Sequence, residues 1–137
     1  MKNLFIKGMA RGTKGCCALC VKEDGKVLGK SFDCVMRTRS NEIPLISGKA
    51  SYQTELYALV WGMSLIPNDE TIKVWTNSVV IKCWITSGHV PDDYDSIFHY
   101  YEQFSIGRNI KAEQVNLGKS RTMCKVRDYA IELMDGL

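Results

Sequence analysis

No apolar run in this chain approaches the ~20 residues of a membrane-spanning helix, and none is flanked by a small-residue cleavage site. The first residues therefore read as a strand and not as a signal peptide, and an intracellular, cytoplasmic protein with no membrane partner is expected. Internal repeats and low-complexity segments are also missing. Histidine is scarce: His89 and His99 are the only ones, and both lie far in sequence from Cys17 and Cys20. There is a single C-x-x-C, formed by Cys17 and Cys20, with no second pair to complete a zinc site. It falls inside an apolar run that reads as a strand, where side chains three apart point to opposite faces. Buried free thiols acting as small hydrophobes are the expected role of the cysteines.

Charge of one sign is nearly absent as a net quantity, at +3, but it is unevenly placed. Residues 1–40 carry nine Lys or Arg against three acids, residues 41–107 three against eight, and residues 108–137 six against four. Such a pattern suits either a solvated, charge-mixed surface or a basic face built from both chain ends and fitted to phosphate. An apolar share of 45% and 137 residues describe one globular domain, 1–137. A chain of this length buries roughly two-thirds of the surface its unfolded form exposes.

Strands are expected over Asn3–Ile6, Gly15–Val21 and Lys26–Met36, with Asp24-Gly25 turning the second into the third. Residues 37–50 form a connecting loop. Ser51 is placed to cap a helix over Tyr52–Leu65, in which Leu56, Leu59, Val60 and Met63 recur at helical spacing, and Pro67-Asn68-Asp69 stops it. Ile72–Thr76 reads as a short buried strand and Ser78–Thr86 as a helix ended by Gly88. Pro91 with Asp92, Asp93 and Asp95 opens another helix, the acidic start that a helix dipole favours. Its stripe of Tyr94, Ile97, Phe98, Tyr101 and Phe104 reads as core and not as a base-stacking platform. Ile110–Val115 supplies a fifth strand, and Ser120–Met134 a last helix.

Four segments of this order carry chemistry. Lys7-Gly8-Met9-Ala10-Arg11-Gly12-Thr13-Lys14-Gly15 follows the first apolar strand, and Thr54-Glu55-Leu56 opens a helix. Val74-Trp75-Thr76-Asn77-Ser78 joins a strand to a helix, and Arg127-Asp128-Tyr129-Ala130 lies in the last helix. The order resembles type 1 ribonuclease H of the ribonuclease H-like superfamily, whose first strand ends in Asp-Gly and a glycine-punctuated turn. The resemblance covers nearly the whole chain and implies an α/β fold, a five-stranded mixed sheet flanked by helices. The chain is short by about a dozen residues between Asn77 and Asp128, where bacterial members carry a basic protrusion, so that protrusion is expected to be absent.

What the resemblance implies for the site is a degenerate one. In the family, four carboxylates hold two divalent ions about 4 Å apart that activate water and stabilise the leaving oxygen. Here Lys7 and Asn77 replace two of the four, leaving Glu55 and Asp128. An ammonium among so few anions repels Mg²⁺ or Mn²⁺, so no metal, no cofactor and no catalysis are expected. Lys7 is expected to pair with Glu55 or Asp128 where a metal would stand. The family's histidine-bearing loop is replaced by Val115-Asn116-Leu117-Gly118-Lys119-Ser120-Arg121. Its Gly-Lys-Ser is not a phosphate loop, because the position five before Gly118 is Glu113.

Gly8, Arg11, Gly12 and Lys14, together with Lys119 and Arg121, are the candidate nucleic-acid contacts. The resemblance places the glycine turn against the minor groove of a hybrid; the plainer alternative is a tight turn that happens to carry two cations. The expected function is an inactive ribonuclease H-like module that binds nucleic acid, an RNA–DNA hybrid or double-stranded RNA first. The alternatives are a protein-docking domain that kept the fold and lost the substrate, or a divergent endonuclease whose ions would use Glu55, Asp128 and another acid such as Asp33 or Asp69.

Overall fold

The computed structural model describes residues 1–12, 14–23, 26–29, 45–67 and 71–136, those of 26–29 as backbone only. A sheet runs through the centre in the order β3-β2-β1-β4-β5, with β1 at Lys2–Arg11, β2 at Lys14–Glu23, β3 at Lys26–Gly29, β4 at Ile72–Thr76 and β5 at Ile110–Gln114. β1 pairs antiparallel with β2 and parallel with β4, and β4 pairs parallel with β5. The mixed sheet with flanking helices agrees with the sequence reading. Only four residues of the expected third strand are described, and residues 30–36 with the Asp24-Gly25 turn lie outside the described part, as do Cys34 and most of the 37–50 loop.

β1 is longer than expected. Residues 7–11 continue the strand and are not part of a turn, because β2 pairs with them residue by residue as far as Arg11↔Lys14. The turn itself is at Gly12, whose φ of +63° suits a residue without Cβ.

The helices are α1 (Ala50–Leu65), α2 (Val79–Ser87), α3 (Asp95–Ser105) and α4 (Arg121–Asp135). Between α2 and α3 only a one-turn 3-10 helix, Asp92–Tyr94, intervenes. Ser78 and Ser120 cap α2 and α4 by accepting from the N–H of Ile81 and Met123, and Gly88 closes α2 in the left-handed conformation. Ser51 does not cap α1. The helix starts earlier, with no side-chain cap at Lys49, and the Ser51 carbonyl accepts from the Thr54 hydroxyl at 2.8 Å.

Alternation along β1 and β2 divides the core in two. Leu4, Ile6, Cys17 and Leu19 join α1 and α3 through Leu56, Leu59, Met63, Ile97 and Phe98. On the other face Cys16, Ala18 and Cys20 meet Val126, Ala130 and Met134 of α4, with Phe5 and Met9 packed alongside. Cys17 and Cys20 thus point to opposite faces, as expected of a strand. Cys16, Cys17 and Cys20 are buried free thiols, but Cys83 is exposed on α2, which departs from the reading of the cysteines as buried. The aromatic stripe of α3 is core, with Tyr94, Phe98 and Tyr101 buried. Among the described residues no helix is long and apolar enough to cross a membrane.

Candidate functional site: a lysine among the expected acids

Three chain segments bring their side chains together at one end of the sheet. The parallel register of β1 and β4 matches Phe5 with Trp75, so the next residues on that face, Lys7 and Asn77, come side by side where β4 ends. The third is α1, which approaches β1 closely enough that Gly8 faces the backbone of Thr54 and Glu55. A Cβ at Gly8 would lie 2.3 Å from the Glu55 nitrogen, so glycine is required there for packing between strand and helix. The glycine at this position thus has a packing reason of its own, independent of any nucleic acid. Gly15 likewise meets Thr54 and Leu45. Gly12 alone of the three is open, with nothing near its Cβ position.

Lys7 Nζ donates to Asn77 Oδ1 at 3.1 Å and lies 3.5 Å from Glu55 Oε1. The Glu55 side chain is 5% exposed and that of Lys7 16%. Burial pushes the Glu55 carboxyl up to about 7, and the opposing pull of the Lys7 ammonium and the Gly8 N–H does not cancel it. Its second oxygen, Oε2, is buried with no hydrogen-bond partner among the described residues.

Asp128 is not brought to this cluster. The buried stripe of α4 is Met123, Val126, Ala130 and Met134. At 100° per residue Asp128 falls about 150° round the helix from its centre. It is exposed and accepts from the neighbouring Arg127 at 2.9 and 3.1 Å. α4 contributes Ile131 and Met134 instead, lining a cleft of about 360 Å³ with Lys7, Arg11, Ser51 and Tyr52. Sequence reasoning misses these partners. Ile131 is detectable only as an apolar residue off the α4 stripe, and Ser51 reads as a cap.

These residues do not fit two divalent ions. Lys7 supplies a cation where a hard anionic oxygen is needed, the Asn77 oxygen is already engaged by it, and the only acid beside them among the described residues is Glu55. Among those residues no group of three or more His, Cys, Asp or Glu is placed to hold a metal ion. Asp33 and Asp69 lie outside the described part. Lys7 and Arg11 are the two cations that line the cleft, the first paired with Glu55 and the second with Asp135.

The remaining basic candidates do not gather round one cleft. Arg11 and Lys14 are exposed at the β1–β2 turn, where Arg11 pairs with Asp135 at the C-terminal end of α4 at 2.9 Å. Lys119, Arg121 and Lys125 rim a shallow depression at the N-terminal end of the same helix. Along α4, Lys125 and Arg121 stand about 15 and 21 Å from Asp135, the partner of Arg11.

No family model matches the sequence, and no curated protein matches it. Solved structures do. The RNase H1 of the halophilic archaeon Halobacterium salinarum NRC-1 superposes with a TM-score of 0.69 at 16% identity, covering 99% of this chain and 98% of that one. The N-terminal RNase H domain of a Mycobacterium tuberculosis protein gives 0.69 at 15%, covering 99% and 96%. LC11-RNase H1, a compost metagenome protein solved in complex with an RNA/DNA hybrid, gives 0.64 at 15%, covering 98% and 99%. Those identities speak for architecture and not for activity: the chain has the fold of the ribonuclease H-like superfamily.

Proposed function

We propose that this domain binds nucleic acid, an RNA–DNA hybrid or double-stranded RNA first, and does not cut it. The observation that carries this reading is the Lys7 ammonium, held between Glu55 and Asn77 where hydrolysis would need metal-binding oxygen. An ammonium in a cleft rimmed by Arg11 attracts phosphate and repels Mg²⁺. The hybrid bound to LC11-RNase H1, a protein of like fold, supports the choice of ligand.

Binding is expected to be salt-dependent, with log affinity falling in proportion to the number of phosphates neutralised. Removing the charges of Arg11 and Lys14 should weaken it for every sequence alike and reduce the salt slope by about one for each phosphate no longer neutralised. Fluorescence anisotropy with hybrid, duplex RNA and duplex DNA at several salt concentrations measures this. If none binds more tightly than to a control protein of similar net charge, the domain is a protein-docking module instead. Incubated with hybrid and Mg²⁺ or Mn²⁺, the protein should leave the RNA strand intact; cleavage lost in Glu55→Gln would show an active nuclease.

A further inference from the structure

Among the described residues, the face of the sheet that carries Lys7 is only half covered. α4 packs on β1 and β2, while on the same side β4 and β5 present Lys73, Trp75, Lys111 and Glu113, matched in register as Lys73↔Lys111 and Trp75↔Glu113. Trp75 belongs to neither core cluster. Its ring lies parallel to that of Phe5, 8° apart with centroids at 5.7 Å. The indole N–H donates to Asn3 Oδ1 at 3.0 Å, which fixes the ring in place. Lys73 Nζ stands 4.4 Å from the indole centroid and Lys22 Nζ 5.9 Å from that of Phe5.

The Trp75 ring is held by Phe5 on one face and by the Asn3 oxygen at its edge, and it is left half-buried, with a lysine over its other face. Among the described residues of β4 and β5 on this face, Lys73 and Lys111 stand beside it against one acid, Glu113. A fixed aromatic ring bordered by lysines matches the chemistry of a nucleic-acid strand, with a π-face for a base and cations for the phosphates beside it. A duplex does not offer base faces, so the complementary ligand is single-stranded.

We propose that the open half of this sheet face is a stacking platform for single-stranded nucleic acid, centred on Trp75, backed by the Phe5 ring, and bordered by Lys73 and Lys111. A base would take the place of the Lys73 ammonium over the indole, and that ammonium would turn to a phosphate. The fixed ring limits the ordering cost of binding. Trp75 and Phe5 lie two residues before Asn77 and Lys7 on their strands, so the platform borders the cleft, yet it stands on separate residues.

The test is a titration of the full chain with single-stranded oligo(U) and oligo(dT). With Trp61→Phe and Trp84→Phe, Trp75 becomes the sole tryptophan, and its fluorescence should be quenched on binding. In the otherwise native chain, Trp75→Ala should weaken affinity about fivefold or more, and Trp75→Tyr should retain most of it. Lys73→Ala with Lys111→Ala, both surface changes that leave the fold intact, should lower affinity and reduce the salt slope by roughly 1.4 for two phosphates of a single strand. Absence of quenching, native affinity in the lysine double variant, or loss of single-strand binding only on changing Arg11 and Lys14 would overturn the proposal. The last outcome would leave the cleft reading in force; failure of duplex binding alone would leave the platform in force.

Discussion

Gly8→Ala is expected to destabilise the fold by about 3 kcal/mol or more, the upper range for an overpacked core. The added Cβ would sit 2.3 Å from the Glu55 nitrogen and 2.4 Å from both the carbonyl carbon and the hydroxyl of Thr54. Backbone atoms inside a helix cannot rotate out of the way, so α1 would have to move off β1. That movement would loosen Leu4 and Ile6 from Leu56 and Leu59, which are all fully buried. Gly12→Ala provides the contrast. Its φ of +63° strains alanine, but nothing lies near its Cβ, so the cost is about 1 kcal/mol. Urea unfolding of both variants measures the difference. Equal midpoints would mean that α1 does not approach β1 as closely as described.

The second large effect is a pH dependence centred on Glu55. Its carboxyl titrates near 4.5 when unfolded and at about 7 when folded. The folded state therefore binds the extra proton between those values, and stability falls as pH rises from about 4.5 to 7. The fall is at most roughly 3 kcal/mol, because a tenfold change in proton affinity is worth about 1.36 kcal/mol. Above about 7 this contribution is flat. Glu55→Gln should abolish the slope. Lys7→Met should move the folded titration higher still, because the cation that lowers it is gone. The penalty of Lys7→Met should thus be modest at pH 7, about 1–2 kcal/mol including the lost hydrogen bond to Asn77, since the carboxyl escapes by taking a proton. It should grow above pH 7 by up to about 1.4 kcal/mol for each further pH unit. Denaturant unfolding from pH 5 to 9 checks both variants; a penalty for Lys7→Met that shrinks with rising pH would show that Lys7 does not compensate Glu55.

Local signals in the sequence locate much of this architecture. Ile72–Thr76 is legible to the residue because a buried strand between two breakers has sharp ends. The last helix is legible to within a residue at each end, expected over Ser120–Met134 and found at Arg121–Asp135. The extension of β1 is not legible. Gly8, Ala10 and Gly12 give no apolar alternation, and only pairing with β2 keeps residues 7–11 extended. The company of Lys7 is half legible: Glu55 and Asn77 stand beside it as expected, and Asp128 does not. Val126, Ala130 and Met134 turn one side of α4 to the sheet, and at 100° per residue Asp128 falls far round the helix from that side. The burial of Glu55 is hidden too, because an acid early in a helix looks like a dipole partner until Gly8 is seen against it.

The measurement that bears most directly on the proposed nucleic-acid site around Lys7 is the affinity for an RNA–DNA hybrid, taken at constant ionic strength with a chelator and then with Mg²⁺. A site built on Lys7 should bind in the chelator and equally or more weakly with Mg²⁺, since the ion competes for the same phosphates. Binding that appears only with Mg²⁺, or tightens tenfold when it is added, would contradict it.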